Sequence, residues 1–205
     1  MSGKFITLEG GEASGKSTNL KFIAAWLQAR NIPYVLTHEP GGTPFAESIR
    51  QLLLQKQEER VSADTELLLM FASRAQHLAQ VILPALSAGK WVICSRFTDS
   101  TYAYQGGGRG LSMAKIAALE QLVQGDLQPD LTILLDVPVA IAQQRAQQRG
   151  ELDRIEKENL AFFERVRQVY LDRAQAFPKR FRVLDTQTFD QLHAQLETLL
   201  HALRG

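Results

Sequence analysis

Residues Gly10 to Ser17 read Gly-Gly-Glu-Ala-Ser-Gly-Lys-Ser, fit the spacing G-x-x-x-x-G-K-[ST], and follow the apolar run Phe5-Ile6-Thr7-Leu8. A strand, a glycine-bounded loop and a helix start meet here, which is the context in which this pattern cradles phosphate groups. Gly10 and Gly15 let backbone N–H groups curl around phosphate oxygens, and a helix beginning near Lys16 aims its positive dipole end at them. Lys16 is expected to reach the β- and γ-phosphates, and Ser17 to offer its hydroxyl to Mg²⁺. Gly11, Glu12, Ala13 and Ser14 complete the loop, and Thr18 continues the helix. The chemistry implied is binding of a nucleoside triphosphate with its magnesium ion; a plain glycine-rich turn is the weaker reading.

Such a loop serves GTPase switches, ATP-driven motors and kinases alike. No Asn-Lys-x-Asp segment follows a strand, which argues against a guanine-specific switch. The strand ends read Cys94-Ser95 and Leu135-Asp136-Val137 rather than an acidic pair, which argues against a motor. Instead, arginines and small polar residues follow the strands in five segments: Glu39 to Thr43, Met70 to Arg74, Arg96 to Thr101, Tyr104 to Gly110 and Arg149 to Arg154. That set suits an anionic acceptor facing the triphosphate, because two phosphate groups brought together need their charge offset.

In this order the segments resemble the thymidylate kinase family, in the bacterial form with a basic lid, and the likeness runs from Lys4 to about Arg173. The resemblance implies the three-layer P-loop nucleoside monophosphate kinase fold and transfer of a phosphoryl group from ATP to dTMP. Arg50 and Arg96 would grip the acceptor's phosphate, where a planar guanidinium binds bidentately. Phe71 would stack on the base while Arg74 bonds its carbonyl edge; the two lie three apart on one helix and share a face. From the residues alone, Phe71 reads as readily as a core aromatic. Thr101 and Gln105 would surround the base, Tyr104 would sit beside the sugar, Ser100 and Pro40 would join the acceptor site, and Glu39, held extended by Pro40, would order that side of it. Glu12 would meet the acceptor's 3′-hydroxyl, a use that explains a carboxylate placed beside a triphosphate. Arg149 and Arg154 would close as a lid onto the phosphates, and Arg145 would pack against adenine. The catalytic set is then Lys16, Arg96, Arg149, Arg154 and Glu12.

One residue departs from the family pattern. Ser95 stands where the family carries an aspartate that orders the water shell of Mg²⁺. Either Ser95 still holds a magnesium water, or a carboxylate such as Asp99 or Glu12 takes over. Two other readings stay open: a kinase for a different nucleoside monophosphate, and a nucleotide-binding switch without turnover.

The elements that must position these residues are legible as alternating patterns. Short apolar runs at Phe5–Leu8, Tyr34–Leu36, Trp91–Cys94, Leu131–Leu135 and Phe181–Leu184 predict five parallel strands in an α/β fold, with helices covering both faces of the sheet. Helices are predicted from Gly15 to Arg30, Pro44 to Gln55, Ala63 to Ser87 with Pro84 kinking or ending the last turn, Ser112 to Val123, Val139 to Gln148, Ile155 to Phe177, and Phe189 to Leu203. Gln105 to Gly110 reads as a loop of unusual composition.

The 205 residues fit one domain, 1–205, with a lid segment at about 149–155. Lys and Arg total 23 against 22 for Asp and Glu, so a net charge of +1 gives no general field for nucleic acid or a membrane surface. The single cysteine, Cys94, lies in an apolar run and reads as a small buried hydrophobe. With no secretory pattern at the N-terminus, the chain is expected in the cytoplasm. The resemblance also implies a homodimer, to which the apolar helix around Leu67 to Phe71 could contribute; burial in the core is the competing use of those side chains.

Overall fold

The computed structural model describes residues 3–55, 58–148, 153–185 and 189–205. Strands β1 (Phe5–Glu9), β2 (Tyr34–His38), β3 (Trp91–Ser95), β4 (Leu131–Asp136) and β5 (Phe181–Asp185) form one parallel sheet in the order β2-β3-β1-β4-β5. All five expected strands are present, each one or two residues longer than its apolar run. β1 lies at the centre, with the chain crossing to β3 on one side and β4 on the other. The loop leaving β1 therefore opens at the point where an open α/β sheet binds its ligands.

Alternation along the central strands builds the two faces. Ile6, Leu8, Ile93 and Ile133 pack against Ile23 and Leu27 of α1 (Lys16–Ala29) and Leu196 and Leu200 of α9 (Phe189–Arg204). Phe5, Val92 and Cys94 face the opposite way, onto Leu78, Ile82 and Phe97. Beside them, Leu134 and Phe181 meet Phe162, Val166 and Tyr170 of α8 (Leu160–Ala176). Burial pushes the Cys94 thiol well up, in keeping with a packing role.

The remaining helices are α2 (Pro44–Leu54), α3 (Ala63–His77), α4 (Leu83–Ser87), α5 (Thr98–Thr101), α6 (Met113–Gln124) and α7 (Val139–Gln147). Two helices differ from the sequence reading. The helix passes through Pro84, because a π-helical turn at Leu78–Ile82 precedes α4 and puts Pro84 in its first turn, where no N–H is required. α8 starts at Leu160 rather than Ile155, since Asp153 Oδ1 accepts from the N–H groups of Ile155 and Glu156 in a separate turn and Asn159 caps the helix proper.

The glycine-rich stretch expected as a loop is π-helical over Tyr102–Gly108 and packs against α8. A Cβ on Gly107 would lie 2.9 Å from the Arg165 carbonyl oxygen, and one on Gly108 would enter the Phe162 ring. Arg165 donates to the carbonyls of Gly107 and Gly108, at 3.0 and 2.8 Å. These glycines permit close approach of two helices.

Candidate active site

The phosphate loop takes the backbone its glycines allow: Gly10 has φ 138° and Gly15 φ 93°. Gly15 sits at the N-terminus of α1 without a side-chain cap, which leaves the first N–H groups of the helix to face an anion. Lys16 folds over the loop, its Nζ donating to the carbonyls of Gly10 (3.1 Å) and Gly11 (2.7 Å). Ser17 and Thr18 are exposed. A cavity of about 800 Å³ opens above, bounded by residues 12–18 and by His38, Glu39, Arg50, Ser95, Arg96 and Arg145.

Arg96 stands at the edge of this cavity, directly after β3, with φ 66°. That left-handed backbone is strained for an arginine and is held by its surroundings. Its N–H donates to Leu8 O (2.9 Å), and its guanidinium donates to Gly10 O (2.9 Å), Glu12 Oε1 (2.6 Å), Tyr104 Oη (3.0 Å) and Tyr170 Oη (3.2 Å). Tyr104 Oη donates in turn to Glu12 Oε1 at 2.9 Å. Burial works against the Arg96 charge, but Glu12 and the neighbouring phenols outweigh it, so the group stays fully protonated.

Beneath Arg96 lies Glu9, the last residue of β1 and fully buried. It accepts from Phe97 N (2.8 Å), Ser100 Oγ (2.6 Å) and Tyr170 Oη (3.1 Å). Burial and the nearby charge of Asp99 push its carboxyl up to about 7. The sequence reading passed over Glu9, which follows the apolar run Phe5–Leu8.

A second cavity adjoins the first, and Glu12, Glu39, Arg50, Arg96 and Asp153 line both. Pro40, Ser100, Thr101, Tyr104 and Gln105 form its walls, and Arg50 Nη1 donates to Pro40 O at 2.9 Å. Arg74 is buried behind them: Nε donates to Glu39 Oε2 (2.7 Å) and Nη2 to Thr101 Oγ1 (3.0 Å), while Nη1 has no partner. The other oxygen of Glu39 is 3.0 Å from His77 Nδ1, and His77 Nε2 is 2.6 Å from Thr37 Oγ1.

Phe71 is not at this cavity. It is 2% exposed and packs with Leu67, Tyr102 and Ile116 in the core, with the Arg74 guanidinium 4.8 Å over its ring. Met70 forms the wall instead.

The lid arginines divide. Arg149 lies outside the described residues. Arg154, expected over the phosphates, is drawn to the buried carboxylate of Glu66, with Nη2 to Oε2 at 2.6 Å, and donates Nε to Leu53 O at 2.8 Å. It lines neither cavity; Asp153 and Glu156 from the same segment do. Arg145 is exposed at the rim of the larger one.

Ser95 pairs with His38 in the sheet register and faces the phosphate loop across the cavity. Neither proposed substitute carboxylate is available to take over from it. Asp99 is buried and bound by Arg173 and Arg180, while Glu12 is bound by Arg96 and Tyr104. No group of three His, Cys, Asp or Glu side chains among the described residues could hold a metal. Ser17 and Ser95 bring neutral hydroxyls to this cavity, and Glu12, Glu39, Asp153 and Glu156 also line it.

A family model described as thymidylate kinase matches residues 8–196. The chain is 60% identical over 204 residues to the thymidylate kinase of Pseudomonas syringae pv. syringae (strain B728a), covering 99% of this chain and 97% of that protein. It is 59% identical over 201 residues to the thymidylate kinase of Pseudomonas putida (strain GB-1), covering 98% and 96%. The crystal structure of thymidylate kinase from Ehrlichia chaffeensis superposes with a TM-score of 0.79 at 36% identity, covering 98% of this chain and 99% of that one.

Proposed function

This chain belongs to the thymidylate kinase family, which phosphorylates dTMP to dTDP with ATP, and we propose that its two adjoining cavities hold the two nucleotides of that reaction. The fold is that of the P-loop nucleoside monophosphate kinases. ATP takes the larger cavity, with its phosphates wrapped by residues 10–18 and its base against Arg145. dTMP takes the smaller one, with its phosphate between Arg50 and Arg96 and its base between Met70, Thr101 and Gln105.

The observation that carries this reading is the position of Arg96 and Glu12 on the boundary of both cavities, joined to each other. The acceptor oxygen and the γ-phosphate must meet there, and Arg96 supplies a fixed positive charge that needs no reorganisation as charge develops. Lys16 exchanges loop carbonyls for phosphate oxygens when ATP binds. Glu12 takes the acceptor's 3′-hydroxyl, and Tyr104 crowds the 2′ position and favours a deoxy sugar. The buried, unpartnered Nη1 of Arg74 is a donor suited to a base carbonyl.

Residues 1–205 act as one domain, with a lid at about 149–155. Of its arginines, Arg149 is the one we assign to the transferred phosphoryl group, since Arg154 is committed to Glu66. Ser17 would hold Mg²⁺ and Ser95 one of its waters, and the ion would supply positive charge to offset that of the phosphates. We propose a cytoplasmic homodimer whose interface is built on α3 and α6, where Leu68, Met113 and Leu122 are exposed. No described helix is long and apolar enough to cross a membrane.

An ADP-release assay across dTMP, dUMP, dCMP, dAMP and no acceptor tests the reading. Turnover with dTMP, weaker turnover with dUMP and little with the others is expected. ADP release that no acceptor stimulates would overturn it.

A further inference from the structure

The carboxylate of Glu66, in the first turn of α3, lies buried behind the base end of the acceptor cavity. Oε1 accepts from Gln105 Nε2 at 2.9 Å and Arg109 Nε at 3.1 Å; Oε2 accepts from Arg154 Nη2 at 2.6 Å and Arg109 Nη2 at 3.2 Å. Burial alone would push this carboxyl up, but hydrogen bonds from Arg109, Gln105 and Arg154 outweigh it and hold the group below its ordinary value. Glu66 is therefore an anion that can only accept hydrogen bonds.

That fact settles which way the Gln105 amide points. A primary amide beside an obligate acceptor must turn its NH₂ toward it, so Gln105 Oε1 is turned away from Glu66. Gln105 lines the acceptor cavity, and its Oε1 accepts nothing from the described residues. Arg74 Nη1, behind Thr101, is the other polar atom left over at this end. One acceptor and one donor thus remain for the base. An imide N–H flanked by a carbonyl, as in thymine or uracil, matches both. Cytosine offers a bare ring nitrogen and an amino group, the inverse pattern.

We propose that Glu66 is a positioning residue for base specificity: by holding the Gln105 NH₂ it fixes an acceptor toward the base, so that the site takes an imide pyrimidine and rejects cytosine. The proposal rests on the smaller cavity being the dTMP site. It also gives a buried carboxylate a task beyond stability, for which buried ion pairs are weak evidence.

The test is the ratio of kcat/KM for dTMP to that for dCMP. In Glu66→Gln, residue 66 can donate as well as accept, the Gln105 amide is free to turn over, and the ratio falls by about 10²-fold, through faster dCMP turnover, out of the roughly 10⁴ that a hydrogen-bond-reading site supports. Since Glu66→Gln leaves two arginines short of a partner, the double variant Glu66→Gln with Arg154→Gln, which removes one cation with the anion, keeps the test open if the single variant does not fold. Arg154→Gln alone leaves the ratio unchanged, because it spares the Gln105 contact. Folded Glu66 variants with the wild-type ratio overturn the proposal. A wild-type enzyme that uses dCMP as well as dTMP overturns the dTMP-site reading first, and this one with it.

Discussion

Arg96 Nη2 and Glu12 Oε1 lie 2.6 Å apart, so the residue after β3 and the middle of the phosphate loop form one ion pair on the wall shared by the two adjoining cavities. Each charge offsets the other: the loop tolerates a carboxylate near phosphates because Arg96 accompanies it, and Arg96 is aimed because Glu12 and Tyr104 hold its fork.

Replacing Arg96 by Lys keeps the charge and loses the fork. The expected result is a fall of about 10²-fold in kcat/KM for dTMP with a smaller change in KM for ATP, since a point charge cannot reproduce planar, bidentate contacts. Steady-state kinetics with each substrate varied checks this; a loss confined to ATP would move Arg96 out of the acceptor site.

Met70 and Phe71 are neighbours with opposite fates. Phe71→Ala opens a hole in a well-filled cluster and should destabilise the protein by about 3–5 kcal/mol. Met70→Ala should leave thermal stability nearly unchanged and raise KM for dTMP several-fold. Thermal melts and dTMP kinetics on both variants decide it, and the reverse pattern would return Phe71 to the base.

Ser95→Asp restores a carboxylate facing the phosphate loop. Half-saturation in a Mg²⁺ titration at fixed ATP should shift to lower metal concentration, since an anionic carboxylate in place of the neutral Ser95 hydroxyl attracts the cation and its water shell more strongly. An unchanged titration curve would count against Ser95 as part of the magnesium shell.

Glu9 gives the enzyme a pH dependence of stability. Its carboxyl sits at about 7 in the folded chain against 4.5 for the ordinary group, so between those values the folded state binds the extra proton. Stability is therefore greatest below pH 4.5 as far as Glu9 is concerned, and declines as pH rises through 7. Chemical denaturation of wild type and Glu9→Gln from pH 5 to 8 should show the wild type losing more stability over that interval; parallel curves would rule this out.

Much of the architecture could be read in advance because the strands of a parallel sheet are buried on both faces and appear as short apolar runs. The phosphate loop was legible for a related reason: its glycines and Lys16 act through the backbone and a fixed spacing. What escaped depended on packing across the sequence. Met70 and Phe71 are told apart only by the angle at which α3 meets α2 and α6. The contact that holds Arg154 was not legible because its partner, Glu66, lies 88 residues away. Glu9 lies just past the apolar run that marked β1, and its network joins β1, α5 and α8.

The segment Tyr102–Gly108 carries both Tyr104 and Gln105, and its glycines are closed against Phe162, Arg165 and Met113. What composition suggests is a loose loop is packed as firmly as masonry. The acceptor pocket is consequently firm on this side, and an inhibitor must match its outline as it stands. Resistance by enlargement at Gly107 or Gly108 is equally barred, since any added side chain would push α8 from its seat.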